Sequence, residues 1–344
     1  MLKPFVALGA WLALASVAPW AEAASFKPLS AAEQVVQMGA GVNVLGYDPY
    51  WQAGGHGNYR AEHFQAMRDA GFGTVRVVLF TFPYMDADGR LDPEWLRKLD
   101  WVIDTATAHD LHVILDVHDF NECAKDMESC SVRLEQVWGQ LAPRYAARPA
   151  SVVFELLNEP HGQLDAVAWN TLLPKLLTVV RQSNPTRNVV VGPVSWNSFR
   201  FLDQLQLPES DRHLIVTFHY YEPFEFTHQG ASWVEEQFTR ISNLGFGSAA
   251  QVAQIGRDFD QVKAWSLKHD RPILLGEFGA YDKAPMESRI KWTATVAEAA
   301  RQRGFAYAYW QFSSDFVLYD FATQSWVQPI LDAVLPPEKE RHTP

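Results

Sequence analysis

Residues 152–157 form an almost unbroken apolar run that ends abruptly in Asn158, Glu159 and Pro160. Apolar runs of this length that stop at turn-forming residues are typical of strands buried on both faces of a parallel sheet. Asn158 and Glu159 would then lie at the C-terminal end of a strand, which is the end where α/β barrels carry their active sites. Glu155 interrupts the run, and we expect its side chain to point into the interior of the barrel.

A second segment, residues 272–279, has the same design, because an apolar run leads to Glu277 between Gly276 and Gly279. Glycines without a Cβ let another group approach the backbone closely. One strand-end glutamate alone would be an ordinary surface residue. Two of them, far apart in sequence and brought to one barrel mouth, form the pair of carboxyl groups that a glycosidase needs.

Predicted strands and helices alternate eight times between residues 39 and 312, and the helices include residues 61–70 and 286–302. The candidate site residues fall at the strand ends. This consistency favours a single (β/α)8 TIM barrel over an open doubly wound sheet, and no glycine-rich nucleotide fingerprint follows the first strand. Barrels of more than 250 residues are often one domain, which fits a chain of 344 residues.

The N-terminus has the pattern of a secretory signal peptide. Lys3 precedes an apolar core that Pro19 ends, and residues 21–23 give the small-x-small cleavage pattern Ala-Glu-Ala. The rival interpretation is a membrane anchor, but the core is short for a span of about 20 residues. We predict cleavage of residues 1–23, a catalytic domain over residues 24–344, and a secreted or periplasmic protein.

The formal net charge of −11 at pH 7 limits the possible partners. An acidic chain binds nucleic acids and anionic membranes poorly, whereas a neutral polysaccharide is compatible with it. The 13 tryptophans could serve both the core and a sugar-binding cleft. We expect a monomer with a polysaccharide substrate, no nucleic acid and no stable membrane insertion after signal cleavage.

Cys123 and Cys130 lie seven positions apart in a polar segment, predicted to be a loop at the barrel mouth ahead of a helix capped by Ser131. In an exported protein a local disulfide is favoured, with free buried thiols as the alternative. The neighbouring His118, Asp119 and Cys123 match no metal-binding spacing. We therefore predict no metal and no cofactor.

Three motifs resemble those of glycoside hydrolase family 5, a family of retaining endoglucanases with a (β/α)8 barrel. They are Asn158-Glu159-Pro160, His219-Tyr220-Tyr221 and Gly276-Glu277-Phe278-Gly279, which occur in the family's order. The resemblance extends from about residue 41 to residue 312. It implies that Glu159 is the acid/base and that Glu277 is the nucleophile.

The same resemblance implies supporting roles for further residues. Arg76 would support the nucleophile, Asn158 would bind the hydroxyl beside the reacting carbon, and His219 and Tyr221 would orient the glutamates. His118 would contact substrate, Trp233 would stack on a sugar on the leaving-group side, and Trp310 would be the floor beneath the reacting sugar. Trp196 follows the end of the fifth strand, where it could line the cleft or pack under a loop.

The substrate implied by the resemblance is a β-1,4-glucan cleaved within the chain. Gln311 stands where family members often have glutamate, and Asp315-Phe316-Val317 replaces the usual glycine-rich loop. These departures leave mannan, xyloglucan or β-1,3-glucan open as substrates of the same chemistry. A non-catalytic sugar-binding barrel and a metal-dependent deacetylase are the alternatives from other classes.

Overall fold

The computed structural model describes residues 26–52, 54–55 and 57–335. Eight parallel strands close into a barrel in sequence order, and β1 pairs with β8 to complete the ring, which confirms the predicted (β/α)8 fold. The strands are β1 (Ala40–Val44), β2 (Thr74–Leu79), β3 (His112–Val117), β4 (Val152–Glu155), β5 (Val189–Val191), β6 (Leu214–Tyr220), β7 (Ile273–Phe278) and β8 (Ala306–Tyr309).

Helices surround the barrel, and a two-stranded antiparallel pair, β9 (Tyr319–Asp320) and β10 (Ser325–Trp326), follows it. The helices are α1 (Ala31–Met38), α2 (Ala61–Ala70), α3 (Pro93–Ala108), α4 (Phe120–Lys125), α5 (Met127–Arg144), α6 (Ala166–Ser183), α7 (Val194–Asn197), α8 (Phe224–Thr227), α9 (Glu236–Thr239), α10 (Ala249–His269), α11 (Met286–Gln302) and α12 (Gln328–Val334). The predicted bounds of α2 and α11 are confirmed.

Helix ends carry the capping residues that local backbone chemistry requires. Asp92 accepts a hydrogen bond from the backbone N–H of Glu94, and Pro93 occupies the first turn of α3, where a missing N–H costs nothing. Ser30 and Glu33 form a reciprocal capping box at the start of α1. These caps fix where the chain leaves one element and enters the next.

Helix α1 seals the N-terminal end of the barrel. Its apolar face, Ala31, Val35 and Met38, forms a buried cluster with interior side chains of six strands. Those side chains are Ile114, Val153, Val190, Ile215, Leu274 and Ala306. The cluster that closes this end, the floor of the barrel, is therefore apolar, and the buried Gln34 of α1 bonds to Asn188 at 3.2 Å.

The disulfide predicted between Cys123 and Cys130 is present, but its setting differs from the prediction. The segment is helical: Cys123 lies in α4 and Cys130 in α5, and both are buried. The cap of α5 is Asp126 rather than Ser131, which lies within the helix. The polar composition led to the prediction of a loop because most side chains of the two helices are exposed. Only the sulfur atoms and the apolar stripe of each helix face the interior.

The predicted signal peptide, residues 1–23, lies outside the described residues. Among the residues that are described, every helix is too short or too polar to cross a membrane.

Candidate active site

A β-bulge in β7 directs Glu277 into the barrel. Leu274 belongs to the interior floor cluster and Gly276 also faces inward, so regular alternation would turn Glu277 outward. The register against β6 shifts at this point, because Phe218 pairs with Leu275 whereas His219 pairs with Glu277. Bulges re-aim side chains in this way and occur beside active sites.

Glu159 reaches the same space from the end of β4. Its backbone has a φ of 43°, a left-handed conformation that is uncommon for a residue with a side chain. Such strain is concentrated at functional sites, where the surrounding structure holds it in place. His219 Nδ1 lies 2.6 Å from Oε1 of Glu159 and 3.6 Å from Oε2 of Glu277.

The two glutamates face each other across a short gap. One carboxylate oxygen of Glu159, one of Glu277 and a ring nitrogen of His219 all lie within 4.8 Å of one another. These three side chains could also ligate a cation. The guanidinium of Arg76 lies 2.8 Å from Glu277, however, and already supplies the positive charge there.

Arg76 is fully buried on β2 and forms ion pairs with three carboxylates. It donates two hydrogen bonds to Glu155, at 2.7 and 2.9 Å, and one to Oε1 of Glu277, at 2.8 Å. Asp116 on β3 lies 3.1 Å from the same guanidinium. The sequence predicted Arg76 and the inward Glu155, but it gave no sign of Asp116.

Two amides complete the shell around Arg76. The guanidinium donates to Oδ1 of Asn43 at 2.8 Å and to Oδ1 of Asn158 at 2.7 Å. These bonds fix which end of the Asn158 amide is oxygen, because only an acceptor can face a guanidinium. The Nδ2 group of Asn158 therefore points away from Arg76, and it lies 3.3 Å from Nε2 of His118.

Each of the two site histidines is held between a carboxylate and an asparagine amide. His118 Nδ1 lies 2.6 Å from Asp116, and its Nε2 faces Asn158. His219 Nδ1 contacts Glu159, and its Nε2 lies 3.3 Å from Nδ2 of Asn197. Tyr221 donates from its hydroxyl to Oε2 of Glu277 at 2.9 Å and so holds the second oxygen of that carboxylate.

Aromatic rings line the mouth around the glutamates. Trp310 stacks on His118 with ring centroids 5.7 Å apart, and Tyr47 meets Trp310 edge-on. Trp196 is 54% exposed, and one face of its ring stacks on His161 at 4.4 Å. Trp233, 50% exposed, lies beyond Glu277 against Tyr281.

The environments of the two glutamates differ electrostatically. Burial, and then the neighbouring Glu277 carboxylate, raises the pKa of Glu159 well above its usual value. Burial also raises the pKa of Glu277, but the adjacent Arg76 guanidinium opposes that shift. A protonated Glu159 beside an ionised Glu277 is therefore the favoured arrangement, which separates an acid from a nucleophile.

Several residues near the site were missed from the sequence. Asn43, Asp116 and Asn197 are buried and act through hydrogen bonds to other site residues. His161 donates from Nδ1 to the Glu159 carbonyl at 2.8 Å, and Tyr47 is exposed above Trp310. In the sequence, these residues are marked only by lying at or near strand ends. Ordinary loop residues lie there as well, so the position does not identify a site residue.

The barrel, the facing glutamates and the aromatic mouth together define a glycoside hydrolase of the (β/α)8 class. The sequence matches the cellulase family, glycosyl hydrolase family 5, over residues 35–316, and the protein belongs to this family. It is 29% identical over 324 residues to Endoglucanase H of Acetivibrio thermocellus, with 89% of this chain and 33% of that protein covered. Endoglucanase C of the same species is 25% identical over 336 residues, covering 83% of this chain and 94% of the relative.

Solved structures that are 34% identical in sequence to this chain share its fold. Thermotoga maritima Cel5A in complex with cellobiose has a TM-score of 0.85 and 34% identity, over 88% of this chain and 99% of that one. The same enzyme in complex with a mannotriose substrate has a TM-score of 0.83 at 34% identity, with the same coverage. The protein is thus a glycoside hydrolase that acts on O-glycosyl bonds.

Replacing Arg76 is expected to destabilise the barrel strongly. Arg76→Met would leave Glu155, Asp116 and Glu277 without a counter-charge in a dry interior, at a cost of about 3–5 kcal/mol in free energy of unfolding. Urea titration measures this quantity. Arg200→Met is the control because Arg200 pairs with Glu222 at the surface, where an ion pair contributes about 0–1 kcal/mol. Equal losses in both variants would contradict the proposed charge cluster.

The raised pKa of Glu159 predicts a stability difference that grows with pH. Below its unfolded-state pKa, near 4.5, the carboxyl is neutral in both states, and glutamate and glutamine should then be nearly equivalent. As the pH rises through the higher folded-state pKa, a buried charge forms beside Glu277 and stability is lost. The melting temperature of Glu159→Gln should therefore exceed that of the wild type increasingly as pH rises. The exposed Glu62→Gln is the surface control, and a constant difference for Glu159→Gln would refute the shift.

Proposed function

We propose that the protein is a retaining endo-β-1,4-glucanase with Glu159 as acid/base and Glu277 as nucleophile. The observation that carries the proposal is the gap of at most 4.8 Å between their nearest ligand oxygens. Retaining glycosidases hold their carboxyl groups about 5–5.5 Å apart, whereas inverting enzymes need about 6.5–9.5 Å to admit a water. The short gap supports double displacement.

In the first step, the ionised Glu277 attacks the anomeric carbon and Glu159 protonates the departing glycosidic oxygen. The carbon–oxygen bond to the leaving sugar breaks as a glycosyl–Glu277 ester forms. Arg76 and Tyr221, each bonded to one oxygen of Glu277, hold the carboxylate in the attacking orientation. Arg76 also favours the charged form that the attack requires.

In the second step, the ionised Glu159 takes a proton from water, and the resulting hydroxide attacks the same carbon from the opposite face. Cleavage of the ester returns Glu277 as a carboxylate and Glu159 as an acid. The neutral and charged forms of Glu159 alternate through the cycle. Its raised pKa supports the protonated state at the start.

Substrate contacts follow from the position of each side chain relative to the glutamates. Trp310 would form the floor beneath the reacting sugar, and the orientation of Asn158 presents an N–H to its neighbouring hydroxyl. His118 would contact the same sugar beside Trp310. The exposed Trp196 and Trp233 would stack on sugars further along the chain, because flat apolar faces bind sugar rings by excluding water.

The names of the similar proteins support a glucan substrate, since Endoglucanase H and Endoglucanase C are both endoglucanases by name. The Cel5A complex with mannotriose keeps mannan as the second candidate. Gln311 is buried next to Trp310. Its uncharged amide distinguishes this protein from family members that have glutamate at the same position. We further propose that the N-terminal signal directs the monomeric enzyme to the periplasm or the medium.

A panel of soluble polysaccharides tests the proposed substrate. We expect new reducing ends to appear fastest on β-1,4-glucan, with a rapid fall in viscosity because internal bonds are cut. Mannan, xyloglucan and β-1,3-glucan are the comparison substrates. Faster release from any of these would reassign the polysaccharide, and binding without turnover on the whole panel would support a non-catalytic barrel.

Replacement of each glutamate should block a different step of the reaction. Glu159→Ala lacks the proton donor, so a dinitrophenyl glycoside should still lose its leaving group and the glycosyl-enzyme should accumulate, as mass spectrometry would detect. Azide should then rescue turnover with retained configuration. Glu277→Ala lacks the nucleophile, so all substrates should fail and azide should give a product of inverted configuration.

The stereochemistry of wild-type hydrolysis provides the control. NMR during the reaction should show the β-anomer first. Initial release of the α-anomer would indicate an inverting enzyme and would make the assignment of Glu277 wrong.

A further inference from the structure

The chain directly after β5 has an unusual backbone. Ser195, Trp196 and Asn197 have φ values of 60°, 58° and 54°, so three consecutive residues with side chains occupy the left-handed region. Each such residue costs on the order of 1 kcal/mol or more, and a run of three persists only where other contacts enforce it. The mechanism described above uses Trp196 alone and does not explain the strain at the other two positions.

The contacts of Asn197 show what the turn achieves. Its side chain is fully buried, and Nδ2 lies 3.3 Å from Nε2 of His219. A Cβ on Gly192 would lie 2.1 Å from Oδ1 of Asn197, and a Cβ on Gly276 would lie 2.9 Å from Nε2 of His219. Glycine at both positions therefore makes room for this pair of side chains.

The hydrogen bonds around His219 select one tautomer. Burial and the nearby Arg76 lower the pKa of His219 well below its usual value, which leaves a neutral ring with a single N–H. Nδ1 faces Glu159 at 2.6 Å and the ionised Glu277 at 3.6 Å, and an ionised carboxylate only accepts. In the part of the cycle in which Glu159 is ionised, Nδ1 must therefore carry the proton, so Nε2 is bare and needs a donor.

Asn197 is that donor. A protonated Glu159 could by itself satisfy either tautomer, since its O–H could donate to a bare Nδ1. An N–H of Asn197 directed at Nε2 removes this choice, because Nε2 then cannot hold the proton. While Glu159 is ionised and Nε2 is bare, the reverse orientation of the amide would set Oδ1 against a bare nitrogen, which is repulsive.

We propose that Asn197 is a positioning residue that fixes His219 as the Nδ1–H tautomer and thereby keeps the acid proton of Glu159 on Oε2. The inference rests on the proposed role of Glu159 as acid/base. Oε1 accepts from His219 throughout the cycle, so the proton can only occupy Oε2. In the first step Oε2 gives that proton to the leaving oxygen, and in the second step it receives one from water, while His219 remains neutral.

Losing the donor would redirect the acid proton. With Nε2 protonated instead, a bare Nδ1 would accept from Oε1–H of Glu159, and the proton would be held between these two atoms, away from the substrate. Poor leaving groups, which need the proton, would then depart slowly. A leaving group that needs none would be unaffected.

Asn197→Gly is the sharpest variant because glycine tolerates the left-handed φ and only the amide is removed. Asn197→Asp places an acceptor at Nε2 and should enforce the other tautomer. Arg200→Ala, on the exposed turn that follows, is the matched control. Melting temperatures show that each variant is folded.

The activity test uses aryl β-cellobiosides with leaving groups of graded acidity. For Asn197→Gly we expect kcat for a phenol leaving group to fall about tenfold or more with KM little changed, and no loss for dinitrophenol. Asn197→Asp should lose more, and Arg200→Ala nothing. Equal losses for phenol and dinitrophenol, or a rise in KM alone, would overturn the proposal, because these results would indicate general damage or a displaced Trp196.

The tautomer itself is measured by nitrogen NMR of protein labelled at histidine, with His219→Gln to assign the signal. Protonated and bare ring nitrogens resonate far apart, and the wild type should show a protonated Nδ1 and a bare Nε2. Asn197→Asp should reverse this pattern. A wild-type His219 with a protonated Nε2 would overturn the proposal. A wild type that hydrolyses no glycoside would overturn the proposed function instead, and the NMR spectrum would still decide the tautomer.

Discussion

The guanidinium of Arg76 is the interaction on which the site depends. It is buried in the barrel and joins three carboxylates and two amides from four other segments of the chain. Only a planar cation with five N–H donors can meet so many partners at once, which lysine could not do. Without this cation, Glu155 and Asp116 would lose their counter-charge, and Glu277 would keep only the Tyr221 hydroxyl to orient it and would lose the charge that favours its ionised form. In the proposed mechanism, catalysis and stability therefore rely on the same side chain.

The barrel holds the site residues rigidly, and local irregularities at the strand ends orient their side chains. The bulge in β7 turns Glu277 inward, and a left-handed φ at Glu159 turns the second carboxyl toward it. The left-handed turn after β5 sets Asn197 behind His219 on the buried side and leaves Trp196 exposed in front. Each of these three departures from ideal backbone geometry lies on the C-terminal side of the ring. The floor, closed by α1, is regular and apolar.

Apolar runs and their abrupt ends predicted the ring of strands and the positions of the two glutamates, whereas Arg76 was predicted from the family resemblance. The runs and their ends were informative because they follow directly from burial on both faces of a parallel sheet. The partners of these residues could not be predicted. Asp116 and Asn197 leave no pattern, since their contacts join segments distant in sequence. The cysteine segment was predicted as a loop because exposed polar side chains of the short α4 and of the first turn of α5 outnumber the few buried positions.

Helix α1 has a consequence for how the enzyme can be handled. The amide of Asn188, at the lower end of β5, donates to the carbonyl of Leu29, so the chain enters the barrel at the face opposite the glutamates. A support, a particle or a fused partner attached ahead of Leu29 would thus hold the molecule by its closed base. Every copy would then present its open mouth outward, and immobilisation at this end should leave access for long insoluble fibres unimpeded.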